Sequence, residues 1–189
     1  MRLGIYGGSF DPPHLGHLLP VIDAAEQLGL DGVRYVPAAI QPLKVGRASA
    51  SPADRLAMTE RLVQGIPGFS VDPAEIGRPG LSYTVDTLAE VAAEVPGAEL
   101  FLLLGADAYA LIDQWRDPER VRALARVVVM VRGGESMPPR ELPGVRVLQS
   151  RRVDISSTEL RARVRDGRTI RGFVPDAVAD YVAEHRLYR

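Results

Sequence analysis

Close to the start of the 189-residue chain runs the segment Gly7-Gly8-Ser9-Phe10-Asp11-Pro12-Pro13-His14-Leu15-Gly16-His17. Apolar residues 3–6 before it predict a short buried strand, and residues 18–25 after it predict a helix. Glycines let a backbone approach an anion closely, and the N–H groups and dipole of a helix start favour negative charge. A strand, a glycine turn and a helix in this order are therefore typical of a phosphate-binding site.

Histidine is concentrated in the same turn. The chain has three histidines, and two of them, His14 and His17, lie three residues apart near the predicted helix start. A lone histidine is more often structural or solvated, and a glycine pair after a strand is weak evidence by itself. Two imidazoles in one glycine turn favour a functional site, because both can donate hydrogen bonds to phosphate oxygens.

Composition limits the class of protein. Hydrophobic residues make up 46% of the chain and charged residues 25%, and this length predicts one domain over residues 1–189. The net charge of −1 gives no general electrostatic reason to bind nucleic acid or an anionic membrane. Cysteine is absent, no signal-like segment opens the chain, and no apolar run reaches the ~20 residues of a membrane span. We expect a cytoplasmic protein, and the sequence does not predict its oligomeric state.

Strands and helices alternate along the rest of the chain. Apolar runs predict strands at residues 33–37, 69–72, 100–104, 127–131 and 145–148, with an extended continuation at 153–155. Helical spacing and caps predict helices from Ser51, over 85–94, through 111–112 to Trp115, from Asp117, and over 160–165 and 175–187. A polar loop is predicted at 133–143. The fold class is α/β, a single-domain, Rossmann-like, doubly wound parallel sheet.

Three segments follow predicted strands directly. They are the glycine–histidine turn, the loop 38–50 that contains the chain's one lysine, Lys44, and Gly105-Ala106-Asp107. Ligands of open α/β sheets bind outside the carboxyl ends of the strands, where the strand order reverses. We therefore expect the three segments to line one crevice.

A second hydroxyl-rich motif lies near the other end of the chain, at Ile155-Ser156-Ser157-Thr158-Glu159-Leu160-Arg161. It contains an ordinary capping box, and capping needs a single hydroxyl. Three hydroxyls in a row, with Arg161 one helical turn further on, also form a cradle for an anion. Together with the histidine turn, the motif predicts a second group of phosphate contacts.

The two motifs carry a resemblance to a known family. Gly8-x-Phe10-x-Pro12 followed by His14-Leu15-Gly16-His17 resembles the signature of the H-x-G-H nucleotidyltransferases, which transfer a nucleotidyl group from a nucleoside triphosphate to a phosphate. Residues 155–161 resemble the I-S-S-T-x-x-R motif that contacts the triphosphate in that family. The motifs lie near opposite ends, so the resemblance covers nearly all of the chain. Within the group, the sequence is most similar to the bacterial nicotinate-nucleotide adenylyltransferases.

The resemblance implies a fold of the nucleotidyltransferase type and transfer of AMP from ATP to nicotinate mononucleotide, giving deamido-NAD and pyrophosphate in NAD biosynthesis. The acceptor phosphate would attack the α-phosphorus in line, without a covalent enzyme intermediate. The implied catalytic residues are His14, His17 and Arg161. Magnesium would accompany ATP with few protein ligands, so no metal-ligating residue is predicted. The implied ATP-binding residues are Gly7, Gly8, Ser9, Phe10, His14, His17, Gly105, Asp107, Ile155, Ser156, Ser157, Thr158 and Arg161.

The acceptor-binding residues implied by the resemblance are Lys44, Tyr83, Thr84 and Trp115. Trp115 alone indicates a half-buried aromatic at a helix end, but its spacing after Gly105 and Asp107 resembles a family element in which tryptophan stacks on the nicotinate ring. Asp107 would bind a ribose hydroxyl. Thr84 is predicted to cap a helix whose N–H groups donate to the nicotinate carboxylate, on the condition that the Asp86 carboxylate points away.

One departure from the family pattern concerns the segment before Lys44. Leu43 stands where the family usually has a histidine, so the contact that this histidine makes is not implied here.

Two alternatives remain beside this assignment. One is a related adenylyltransferase with another acceptor, such as nicotinamide mononucleotide or phosphopantetheine. The phosphopantetheine enzymes tend to have threonine at the position of His14 and lack the G-x-D…Trp element. The other alternative is a nucleotide-binding regulatory module without turnover, which the two histidines and Arg161 disfavour.

Overall fold

Six parallel strands form one sheet in the computed structural model, which describes residues 1–39, 50–78, 80–132 and 144–189. The strands are β1 (Arg2–Gly8), β2 (Gly32–Pro37), β3 (Phe69–Val71), β4 (Glu99–Gly105), β5 (Arg126–Arg132) and β6 (Arg146–Ser150). Their order is β3-β2-β1-β4-β5-β6, and every neighbouring pair is parallel. The order reverses between β1 and β4, which confirms the predicted doubly wound Rossmann-like fold.

Helices cover both faces of the sheet. They are α1 (Leu15–Leu28), α2 (Pro52–Val63), α3 (Ala74–Gly77), α4 (Thr84–Glu94), α5 (Ala106–Tyr109), α6 (Pro118–Leu124), α7 (Ser157–Arg165) and α8 (Asp176–Glu184), with a 3-10 turn at Ile112–Gln114. The predicted caps Ser51 and Asp117 each accept a backbone N–H and precede a proline. Over the described ranges, no helix is both long enough and apolar enough to span a membrane.

The central strands contribute to two apolar clusters, one on each face. Along β4, Phe101 and Leu103 join the cluster under α1, α2 and α8, while Leu100, Leu102 and Leu104 join the cluster under α4 and α6. Successive side chains of a strand point to opposite faces, so a strand covered on both sides must be apolar throughout. This is why 100–104 and 127–131 are continuous apolar runs.

Two predicted elements differ in the structure. The helix predicted to reach Trp115 is broken into α5 and the 3-10 turn, and the residues on either side of the break, Tyr109 and Ile112, are both buried. Residues 153–155 do not continue the sheet. The chain leaves it after β6, where the Arg151 N–H donates to the Asp23 carboxylate of α1 at 3.1 Å rather than to a neighbouring strand.

The last helix is also shorter than predicted. It ends at Glu184, three residues before Leu187, and Arg186 and Tyr188 take left-handed backbone conformations with φ of 52° and 66°. Lys44, Leu43 and the predicted loop 133–143 lie outside the described residues. The assignment of residues 1–189 to one domain stays a prediction.

Gly32 provides a test of the packing between β2 and β3. A Cβ at Gly32 would lie 2.7 Å from the Gly68 carbonyl oxygen, which accepts the Val33 N–H at 2.9 Å. Gly32→Ala must push this backbone contact apart, so we expect the free energy of unfolding to fall by about 1–3 kcal/mol. Urea denaturation followed by circular dichroism measures the change.

Gly77→Ala is the matched control, because a Cβ at Gly77 meets no atom within 4 Å and the residue does not need a left-handed backbone. Equal stability of the two variants would contradict the close approach of β2 and β3.

Candidate active site

The two histidines of the turn after β1 cap the start of α1. His14 is the N-cap, and its Nδ1 accepts the Gly16 N–H at 3.1 Å. His17 reaches back, and its Nδ1 accepts the His14 N–H at 3.3 Å. The ring centroids lie 3.8 Å apart. Because both Nδ1 atoms accept, the hydrogen bonds assign the proton of each neutral imidazole to Nε2, a donor suited to a phosphate oxygen.

Close contacts explain the other residues of this turn. A Cβ at Gly16 would lie 2.9 Å from atoms of the His14 ring, so a side chain at position 16 would clash with that imidazole. A Cβ at Gly8 would lie 2.8 Å from the Phe10 ring. The Phe10 side chain is itself buried and packs edge-on against the His17 ring at 5.3 Å. The Phe10 ring therefore packs against His17 and supports it. Because this ring is buried, only the backbone of Phe10 can contribute to a nucleotide site.

The hydroxyl-rich motif lies directly against the histidine turn. Ser156 caps α7 by accepting the Glu159 N–H at 3.1 Å, and the Ser157 hydroxyl donates to the Pro12 carbonyl at 2.9 Å. Arg161 donates to the Asp11 carbonyl at 2.7 Å and to the Thr158 hydroxyl at 3.2 Å. The structure thus brings together two motifs separated by about 140 residues in the chain. Ser157 and Arg161 also hold the loop, in addition to any contact they make with a ligand.

A buried arginine that the sequence did not single out as functional completes this support. Arg55 of α2 is 1% exposed, and its guanidinium donates to the Ser9 carbonyl at 2.8 Å, to Ala38 at 2.6 Å and to Ala39 at 2.9 Å. Desolvation lowers the pKa of Arg55, and the nearby Asp11 carboxylate partly offsets that effect. The arginine joins the ends of β1 and β2. The sequence placed Arg55 on a helix, where a helix surface explains it equally well, and did not identify its three carbonyl partners.

A cavity of about 350 Å³ opens between the carboxyl ends of β1 and β4. Its lining includes most of the residues predicted for the acceptor and the ribose, together with the glycines before the histidine turn: Gly7, Gly8, Tyr83, Thr84, Gly105, Asp107 and Trp115. Trp115 is half-buried against the apolar cluster under α4. The cavity lies at the point where the strand order reverses, which is where ligands of open α/β sheets bind.

The predicted role of Thr84 as a helix cap is wrong. Tyr83 is the N-cap, with an extended backbone at φ −112° and ψ 127°, and Thr84 is the first helical residue. No side chain caps α4, because its cap position is occupied by a tyrosine whose ring lies under the Arg116 guanidinium at 4.9 Å. Tyr83 and Thr84 both line the cavity, so the start of α4 still borders it.

Two charged residues of the cavity were missed from the sequence. Glu75 is 7% exposed, and its Oε1 accepts the Thr87 hydroxyl at 2.6 Å. Burial raises the pKa of Glu75, and the hydrogen bond from Thr87 opposes this shift. Arg116 lies at the rim, 3.4 Å from the Asp86 carboxylate. Nothing in the sequence distinguishes Glu75 from the other 23 acidic residues, whereas Arg116 follows Trp115 directly.

A divalent metal would find few protein ligands here. Over the ranges that the structure describes, no three histidine, aspartate or glutamate side chains come together as a metal site. The carboxylate of the histidine loop, Asp11, accepts the Tyr188 hydroxyl at 2.8 Å and the Ala50 N–H at 3.2 Å. This donor set fits a metal that is held chiefly by the oxygens of a bound polyphosphate.

Comparison with known proteins identifies the family and supports the fold. The family model described as cytidylyltransferase-like matches residues 5–163. The probable nicotinate-nucleotide adenylyltransferase of Gemmatimonas aurantiaca is 50% identical over an alignment that covers 100% of this chain and 93% of that relative. A protein of the same description from Thermus thermophilus is 46% identical over the full length of both chains.

Among solved structures, the nicotinic acid mononucleotide adenylyltransferase of Plasmodium falciparum, solved in complexes with APC and with NaAD, has the same fold. Its TM-score is 0.79 at 18% identity in both complexes, and the match to the APC complex covers 99% of this chain and 96% of that one. Given the family model that covers most of the chain and relatives at 46–50% identity over its whole length, this chain belongs to the nicotinate-nucleotide adenylyltransferases, within the cytidylyltransferase-like family.

Proposed function

We propose that the protein transfers AMP from ATP to nicotinate mononucleotide. An oxygen of the acceptor phosphate forms a bond to the α-phosphorus of ATP, the bond from this phosphorus to the bridging oxygen breaks, and pyrophosphate leaves. The products are deamido-NAD and pyrophosphate. The observation that carries the proposal is the adjacency of the His14–His17 turn, the start of α7 and the cavity at the reversal between β1 and β4.

The nucleotide side of the site acts by positioning and charge stabilisation. Negative charge on the α- and bridging oxygens of ATP grows as the bond from the α-phosphorus to the leaving pyrophosphate breaks. The Nε2–H groups of His14 and His17 donate hydrogen bonds to these oxygens. Because these donors are already in position before the reaction, they lower its activation free energy without any rearrangement of the site. Backbone N–H groups from Gly8 to Phe10 extend this cradle. Ser156, Ser157 and Arg161 bind the leaving pyrophosphate, while Ile155 and Thr158 border it.

The acceptor side explains a preference for the acid over the amide. Nicotinate carries an acceptor-only carboxylate, whereas nicotinamide carries an NH₂ group of similar shape. The start of α4 presents backbone N–H groups and the positive end of the helix dipole, and Arg116 adds a cation at the rim. Trp115 stacks on the pyridine ring and Asp107 binds a ribose hydroxyl. Lys44 contacts the acceptor phosphate in this proposal.

Magnesium would accompany ATP, and no side chain of the protein is assigned to hold it. When bound, it neutralises part of the charge on the triphosphate. The location in the cytoplasm and the absence of nucleic-acid or membrane partners stay predictions.

Turnover with a panel of acceptors tests the proposed function. Pyrophosphate release is measured with ATP and nicotinate mononucleotide, nicotinamide mononucleotide or phosphopantetheine. We expect the highest kcat/KM with nicotinate mononucleotide. A higher value with phosphopantetheine would reassign the acceptor, and no release with any acceptor would favour a regulatory nucleotide-binding protein.

His17 provides the first kinetic prediction. His17 is proposed to donate to charge that develops only in the transition state. Its loss should therefore lower kcat more than it weakens substrate affinity, and we expect kcat of His17→Asn to fall by about 10²–10³. Asparagine is chosen because its amide oxygen can still accept the His14 N–H and keep the cap of α1. Steady-state kinetics and circular dichroism measure activity and folding.

The matched control is His185→Asn. This third histidine stacks on Tyr181 with ring centroids 4.0 Å apart, outside the turn. It should retain the wild-type kcat. A His17→Asn variant with a kcat near that of His185→Asn would mean that His17 serves only the cap.

Acceptor choice provides the second kinetic prediction. Arg116 is 59% exposed, so its electrostatic contribution is modest, and we expect Arg116→Gln to reduce the preference for nicotinate over nicotinamide mononucleotide by about threefold to tenfold. Trp115→Ala should weaken the binding of both acceptors equally, because stacking on the pyridine ring does not depend on the carboxylate. The measurement is kcat/KM for each acceptor.

Arg122→Gln is the control for the arginine substitution. Arg122 contacts Asp113 at 2.7 Å and Glu119 at 2.6 Å and does not line the cavity. If Arg122→Gln shifts the acceptor ratio as much as Arg116→Gln does, the carboxylate is not recognised at this rim.

A further inference from the structure

The last residues of the chain turn back towards the histidine loop. After α8 ends, Arg186 and Tyr188 both have left-handed backbones, with φ of 52° and 66°. Neither residue is glycine, so surrounding contacts must hold this conformation. The Leu187 N–H donates to the Val182 carbonyl at 3.0 Å, and Leu187 and Tyr188 pack against the apolar cluster under α1 and α2. The chain end is thereby fixed against the body of the protein.

The Tyr188 hydroxyl makes a specific contact at the end of this segment. It donates to Oδ1 of Asp11 at 2.8 Å, across 177 positions of the sequence. Burial raises the pKa of Tyr188, and the Asp11 carboxylate raises it further. The phenol therefore keeps its proton, and stays a donor, at neutral pH. Asp11 is 4% exposed, so this hydrogen bond is not in competition with bulk water.

Asp11 connects Tyr188 to three other parts of the site. Its Oδ1 also accepts the Ala50 N–H at 3.2 Å, at the point where the chain returns from residues 40–49. Its backbone carbonyl accepts Arg161 Nη1 at 2.7 Å, and its Oδ2 lies 3.9 Å from the same nitrogen. His14 follows three residues later. The carboxylate therefore joins the histidine loop, α7, the segment before α2 and the chain end.

We propose that Tyr188 is a positioning residue for the nucleotide: its hydroxyl holds the Asp11 carboxylate and so fixes the histidine loop and Arg161 in the arrangement that binds the triphosphate. The inference rests on the proposed function for the identity of the nucleotide. Without the hydroxyl, the buried Asp11 carboxylate has one donor fewer and can turn towards Arg161. That movement withdraws the guanidinium from the phosphate and loosens the loop that carries His14.

The chain offers a matched pair of tyrosines for the test. Tyr181→Phe removes a hydrogen bond of the same kind, in which the Tyr181 hydroxyl donates to the Asp54 carboxylate at 2.9 Å. This bond joins α8 to α2. Asp54 belongs to α2 and contacts its cap Ser51, outside the histidine loop. Tyr188→Phe and Tyr181→Phe therefore make the same chemical change in the same region, and only the first one alters Asp11.

Two measurements are made on the full-length variants: ATP dissociation constants by calorimetry without acceptor, and KM for ATP and for nicotinate mononucleotide. We expect Tyr188→Phe to weaken ATP binding about fivefold to tenfold and to lower kcat, with less than a twofold change in KM for the acceptor. Tyr181→Phe should leave all three quantities within twofold. Calorimetry with ATP alone separates this proposal from the proposed function, because it does not require turnover with any acceptor.

Equal ATP affinities in the two tyrosine variants would overturn the proposal, and so would a Tyr188→Phe variant that loses ATP and acceptor binding to the same extent. If Tyr188→Phe does not fold, Asp11→Asn provides the second route, because an amide oxygen can still accept the Tyr188 hydroxyl. We then expect Asp11→Asn to bind ATP within threefold of the wild type, and a tenfold loss would show that the charge of Asp11, not its contact with Tyr188, is what matters.

Discussion

The proposed phosphate-binding site depends on one constraint: the loop between β1 and α1 is buried and irregular, so its backbone carbonyls need partners from other parts of the chain. Distant side chains provide them, with Arg55 donating to Ser9, Arg161 to Asp11 and Ser157 to Pro12. The two prolines of the loop have no N–H groups, which reduces the number of donors to be satisfied. The loop is therefore held by α2 and α7, two helices that are far apart in the sequence.

Each of the two histidines uses one ring nitrogen for structure and leaves the other for a ligand. The Nδ1 atoms of His14 and His17 accept backbone N–H groups and so hold the start of α1. That use assigns the proton to Nε2, so that Nε2 on the opposite edge of each ring is the donor in the proposed reaction. A single pair of side chains can then serve as helix cap and as phosphate ligand. The Tyr35 hydroxyl supports this arrangement by donating to the His17 carbonyl at 3.0 Å.

Electrostatics in the cavity follow from a balance of few charges. Glu75 is buried there, and burial raises its pKa while the hydrogen bond from Thr87 opposes that shift. Asp86 lies in the first turn of α4, but its carboxylate contacts Arg116 at 3.4 Å. In the proposed acceptor site, this ion pair offsets the charge of Asp86, and no sequence pattern singled out the arginine.

The sequence by itself determined the parallel sheet, the helix caps at Ser51 and Asp117, and the two motifs near the ends of the chain. These features are local: alternation of apolar runs, capping hydroxyls and glycine turns act over a few residues. Only the tertiary structure decided the partners of Asp11, the burial of Arg55 and Glu75, and the break before Ile112. It also decided that Tyr83, not Thr84, occupies the N-cap position of α4. Each of these depends on which distant residue fills the space beside it, and local spacing carries no information about such long-range contacts.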